Sequence, residues 1–130
     1  MSVMKVFGTV SVSYPSSWKI RAGMGNTSAV FTNGRAFYEV HPPDLKAADA
    51  KAIAMSGVKK LAAGSAITGQ GAARYSNQNS YWVTVTYRGG TARIVGVDGP
   101  ARIVLFEHVN GGQFSAYKAT FDSMQDKIQF

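Results

Sequence analysis

Residues 81–109 read YWVTVTYRGGTARIVGVDGPARIVLFEHV, and this stretch decides the fold. It divides into three runs rich in β-branched and aromatic residues, 81–88, 91–97 and 101–109. Gly89-Gly90 parts the first two, Asp98-Gly99-Pro100 the second two, and Asn110-Gly111-Gly112 closes the third. Turn clusters this short leave no room for a crossover, so the runs predict an antiparallel meander. The meander is apolar on both faces: Tyr81, Val83, Val85 and Tyr87 oppose Trp82, and Ile103 and Leu105 oppose Val104 and Phe106. A sheet of that kind has to be covered on both sides, by helices or by a partner.

Upstream, Val10, Val12 and Tyr14 alternate with Ser11 and Ser13, the period of two of a half-buried strand that starts by Thr9. Pro15-Ser16-Ser17 ends it, Trp18-Lys19-Ile20-Arg21 opens a second extended piece, and residues 23–27 read as a turn cluster. Strands over 28–32 and 36–41 flank Asn33-Gly34, a strong hairpin signal, and Pro42-Pro43 stops them. Over 45–63 the residues Ala50, Ile53, Ala54, Val58 and Leu61 recur at helical spacing, with Asp44 as the expected cap and Gly64 as the stop. Gly57 weakens that helix or lets a neighbour come close. Residues 67–76, with Gly69 and Gly71, read as an irregular edge. Phe114, Tyr117, Phe121, Met124 and Ile128 form the stripe of a closing helix. The expected architecture is α+β: a mainly antiparallel sheet of about six strands, two principal helices, one domain over residues 1–130. Two helices can take one face each. If they share a face, the other is an interaction surface.

The 130 residues carry 14 Lys and Arg against 7 Asp and Glu, a formal charge of +7, yet only 16% are charged. With no cysteine there is no disulfide framework, thiolate metal site or cysteine nucleophile. Fifteen aromatic residues and a 45% hydrophobic composition are too rich in core-formers for a disordered chain. No apolar run approaches the ~18 residues of a membrane span. Met1 and Met4 read as a start added to a trimmed chain, with nothing removable before the first strand. A polar surface of Ser, Thr, Asn and Gln adds the expectation of a periplasmic or other extracytoplasmic protein whose leader has been removed.

An alternating strand leads into Tyr14-Pro15-Ser16-Ser17-Trp18-Lys19-Ile20, then come a hairpin, a helix, a long meander and a closing helix. This order resembles the PsbP-like, or DcrB-like, superfamily, which includes the photosystem II extrinsic subunit P and a yeast import factor that binds the Ran GTPase. The likeness covers nearly the whole chain as an order of elements rather than a dense motif. It implies an α/β/α-like sandwich and an accessory or binding protein instead of an enzyme. No functional residue of any branch is matched, and likeness of fold informs function only by analogy.

Among chemistry-bearing residues, His41 and Glu39 share a face of one strand, while Glu107 and His108 point to opposite faces of another. If those strands are neighbours, Glu39, His41 and His108 are candidates for a metal site; otherwise the histidines are solvated strand ends. Twelve serines make chance triads inevitable, and no Gly-x-Ser-x-Gly elbow supports one. The glycine pairs lack the lysine of a phosphate loop. Arg88, Arg93 and Arg102 fall on the three meander strands, and on a common face they would form a ladder beside Trp82 and Tyr87 able to bind phosphates or stack bases. Lysines and arginines are otherwise scattered, with no run of three and no nucleic-acid motif. The leading expectation is a non-catalytic binding or accessory domain acting on a protein partner, with no cofactor. The alternative is polyanion or nucleic-acid binding through the three arginines.

Overall fold

The computed structural model describes residues 1–22, 28–111 and 113–130; the turn cluster expected at 23–27 lies outside them. The elements run β1 (Ser2–Val6), β2 (Val10–Tyr14), β3 (Lys19–Ala22), β4 (Ala29–Thr32), β5 (Ala36–His41) and α1 (Ala50–Leu61). There follow β6 (Ile67–Tyr75), β7 (Gln78–Tyr87), β8 (Gly90–Asp98), β9 (Arg102–Val109), a 3-10 turn at Phe114–Ala116 and α2 (Lys118–Asp126). Seven strands form one antiparallel sheet in the order β3-β4-β5-β9-β8-β7-β6, while β1 and β2 make a separate hairpin. The main sheet thus has seven strands where about six were expected, and among the described residues β1 and β2 stand outside it. β1 escapes a reading of alternation because its exposed face carries Val3 as well as Lys5.

The meander forms as expected, and each helix takes one face. α1 lies against β7, β8 and β9 and buries Ile53, Ala54 and Val58 on Val83, Val85, Ile94, Val104 and Phe106. Each large aliphatic side chain so covered contributes about 1.5–3 kcal/mol. The approach is close because two glycines meet there. A Cβ at Gly96 would lie 2.4 Å from the Ala50 carbonyl oxygen, and one at Gly57 2.8 Å from Val104 Cγ1. On the opposite face α2 and the β1–β2 hairpin share the cover. Val10, Val12, Phe121, Met124 and Ile128 pack there with Phe31, Tyr38, Val40, Val95 and Leu105. Ser11 and Gln129 exchange backbone hydrogen bonds at 2.7 and 3.1 Å, fastening the chain end to the hairpin.

Both helices are shorter than the apolar spacing suggests. Asp49, not Asp44, caps α1, its carboxylate accepting from the Ala52 N–H at 2.8 Å. Asp44 closes a turn by accepting from the Lys46 N–H, and Leu45 is 87% exposed. Phe114 stands in the 3-10 turn and Ile128 beyond the end of α2, although both pack as the stripe requires. The edge strand β6 is irregular at one point, a shift of register between Ile67 and Gly69.

Candidate functional site

α1 packs chiefly on three of the seven strands, so on its side most of β3, β4 and β5 lies outside its cover, and α1 borders β5 only near His41. Register places Arg21, Val30, Glu39 and Phe106 in one row across the sheet, with Phe37 and His108 paired in the next. Arg21 is exposed, and Val30, Phe37 and Glu39 are half-buried. A cleft of about 310 Å³ opens here, lined by Arg21, Val30, Phe37, Glu39, Tyr87, Arg88 and His108.

His108 is the hub of its floor. The ring stacks on Phe37 with centroids 4.9 Å apart and planes 6° from parallel, and it meets the Tyr87 ring edge-on at 5.4 Å. Its Nε2 donates to Glu39 Oε2 at 2.5 Å, and His41 Nε2 donates to Oε1 at 2.8 Å. Burial opposes the charge of Glu39, but the two imidazole hydrogen bonds outweigh it and lower the carboxyl to about 2. On the other side of its ring, His41 Nδ1 is hydrogen-bonded to the Ser28 hydroxyl at 2.8 Å. Ser28, His41, Glu39 and His108 thus form one hydrogen-bonded line. Its far end reaches a second cleft of about 220 Å³, lined in part by Ser28, His41, Pro43 and Lys60.

β5 and β9 are neighbours, so the two histidines and Glu39 do meet. They meet through hydrogen bonds, and among the described residues no three His, Cys, Asp or Glu side chains are disposed to hold a metal ion. Both oxygens of Glu39 are already occupied by imidazole N–H groups, an arrangement suited to holding the two rings in place. Ser28 was not singled out by sequence, although counting back from Asn33-Gly34 sets it opposite His41.

The three meander arginines are not brought together, because each is claimed by different surroundings. Arg93 faces α2 and is 5% exposed; its Nε donates to Glu107 at 2.5 Å, its Nη2 to Asp122 at 2.7 Å, and it lies over the Phe114 ring. Arg102 donates to Asp98 at 2.8 Å and to the Ala47 carbonyl at 2.6 Å, joining the sheet to the segment before α1. Arg88 follows the end of β7 whereas Arg102 begins β9, and these strands run the same way, so the two lie at opposite ends of the sheet. Only Arg88 borders the cleft, with its guanidinium 5.1 Å from the centroid of the Tyr87 ring. Trp82 lies on the α2 side, packed over Gly69 and Gly71 of β6. The expected ladder is therefore replaced by a buried ion pair, a strap and one cleft arginine. Its companion in the cleft is Arg21, which sequence reasoning passed over because β3 is short and offers little alternation to read.

No protein-family model matches the chain, and no curated protein matches it in sequence. Solved structures do resemble it. The solution structure of cyanobacterial PsbP (CyanoP) from Synechocystis sp. PCC 6803 aligns with a TM-score of 0.64 at 13% identity, over 93% of this chain and 86% of that one. A Pseudomonas aeruginosa protein of unknown function, PA94, described as a putative regulator, aligns with a TM-score of 0.57 at 11% identity, over 98% of this chain and 94% of that one. Identities this low speak to fold alone. Together with the antiparallel sheet and its two unlike covers, they show that this chain has the PsbP-like fold.

Proposed function

We propose that the protein is a non-catalytic binding or accessory domain that acts through a protein partner docked on the cleft beside α1. One observation carries this reading: α1 covers three strands and leaves an aromatic floor, edged by two arginines, open on the remaining half of that face. The other face is closed by this chain's own hairpin and α2, which leaves the α1 side for a partner. The superfamily resemblance supports an accessory role. A nucleic-acid surface finds less support, since two of the three meander arginines are engaged in ion pairs with this chain's own carboxylates.

Photo-crosslinking in cells of the source organism tests the reading. A photoreactive residue replaces Val30 or Phe37 in the cleft, and Lys59 on the exposed face of α1 as a control. A discrete protein adduct is expected from the two cleft positions and not from Lys59, and it is expected to disappear when Arg88→Glu is added. Adducts of equal strength at all three positions, or adducts only to nucleic acid, overturn the proposal.

A further inference from the structure

We infer that the cleft recognises a carboxylate: the partner presents an acidic peptide segment whose side-chain carboxylate sits between Arg21 and Arg88, with a neighbouring apolar residue on the Phe37–His108 stack. The inference rests on the cleft being the docking site and adds the chemistry of what docks there.

The first ground is unbalanced charge. Arg21 on β3 and Arg88 at the β7–β8 turn both line the cleft, and neither is ion-paired among the described residues. The cleft's own carboxylate, Glu39, stays charged and offsets one of them, but both its oxygens are taken by histidine N–H groups, so it pairs with neither arginine and the cations remain in excess. Two guanidinium groups beside a half-buried floor attract an anion, and their planar forks match a carboxylate.

The second ground is backbone conformation. Tyr87 pairs with Gly90, so the turn has two central residues, Arg88 at φ 49° and Gly89 at φ 79°. Both positions of such a turn are left-handed, where Gly, Asn and Asp are at ease and a long side chain is not. Arginine in this place is a local strain, as Phe7 is in the β1–β2 turn, and of the two only Arg88 lines the cleft. Strained residues concentrate where a ligand is gripped, and this one lies over Tyr87 at the cleft wall.

The third ground is scale. A cleft of about 310 Å³, with two cations that have no ion-pair partner among the described residues, accommodates one acidic group and an adjoining side chain. A nucleic-acid strand needs a track of cations and stacking rings. Here Arg93 and Arg102 are ion-paired elsewhere in the molecule.

NMR titration with defined probes decides the matter: acetyl-Leu-Glu-Phe-Glu-amide, the same peptide with Gln in place of Glu, inorganic phosphate, and a single-stranded DNA 12-mer. The Glu peptide is expected to shift the amides of Val30, Phe37 and Arg88. The Gln peptide should bind about tenfold more weakly, and Arg88→Asn and Arg21→Gln should each weaken the Glu peptide by about tenfold. Asn suits the turn, so Arg88→Asn removes the cation while keeping the fold. Equal binding of the two peptides overturns carboxylate recognition and leaves an apolar docking site standing. Tighter binding of phosphate or DNA overturns it as well. Cleft crosslinks in cells with no response to either peptide also refute the inference, without touching the docking proposal.

Discussion

Glu39 and Glu107 stand on paired strands, β5 and β9, on opposite faces of one sheet, and their fates diverge. Glu107 lies under α2 with no exposure at all. Burial pushes its carboxyl up to about 7, even though Arg93 and Gln125 both donate to it. Glu39 lies on the side where α1 does not reach, its side chain 18% exposed, and two histidine hydrogen bonds bring it down to about 2. Each carboxylate accepts two side-chain hydrogen bonds, so bond count does not separate them. Depth of cover does. A helix overhead makes desolvation dominant and turns the acid into part of a structural lock, while partial cover keeps the acid charged and leaves His108 in the cleft floor.

Breaking the buried half of this comparison has the largest expected effect. At pH 8, above the raised carboxyl, Arg93→Met leaves Glu107 without its cation and should cost about 3–5 kcal/mol, read as a fall in the urea midpoint. Replacing both residues by Met should recover most of that loss, since the desolvation penalty disappears with the charges. A single variant within about 0.5 kcal/mol of the parent, the range of an ordinary surface change, would show that the pair holds nothing.

The two glutamates also impose opposite dependences on pH. Glu39 titrates near 4.5 unfolded and near 2 folded, so its contribution is complete above 4.5 and fades as pH falls towards 2. Glu107 is raised, so the folded state holds its proton more tightly, and stability falls as pH rises from 4.5 to about 7. For this pair stability peaks near 4.5. Asp122, lowered by Lys118 and Arg93 against the pull of burial, adds to the acid limb, so each effect is read as variant against parent. Glu39→Gln should flatten the acid limb and Glu107→Gln the upper one, each by an amount on the order of 1–3 kcal/mol. Urea midpoints from pH 2.5 to 8 check this. An upper limb that persists in Glu107→Gln contradicts the assignment.

What could be read in the chain follows the range of the interactions concerned. The hairpin around Asn33-Gly34 is local, and counting outward from it places Glu39, His41 and Ser28 correctly. The meander is local too. The contact between Glu39 and His108 needs β5 to pair with β9, across a helix and three other strands, and no local pattern encodes that. Arginine placement was hidden for a different reason. Alternation tells which residues share a face, but both faces of this sheet are apolar, so it does not tell which face α2 closes over Arg93. The choice between Asp44 and Asp49 as cap was equally open, because both are acceptors ahead of helical spacing and only the turn at Lys46 separates them.

The smallest expected effect is the most discriminating, because the comparison predicts its sign. Arg93 and Arg88 lie five residues apart, one locked under α2 and the other at the cleft in a left-handed turn. Removing the first should destabilise. Removing the second as Arg88→Asn places Asn-Gly in the turn and should stabilise, by about 0.5–1 kcal/mol from relief of the backbone, less what is lost with the Tyr87 contact. For a chain of this size that is a rise in Tm of roughly 2–4 °C, accompanied by weaker carboxylate binding. A gain in stability joined to a loss of binding is what a residue retained for recognition should show. If Arg88→Asn instead lowers Tm, the arginine is serving the fold through its stack on Tyr87, and the strain at φ 49° is no argument for a ligand.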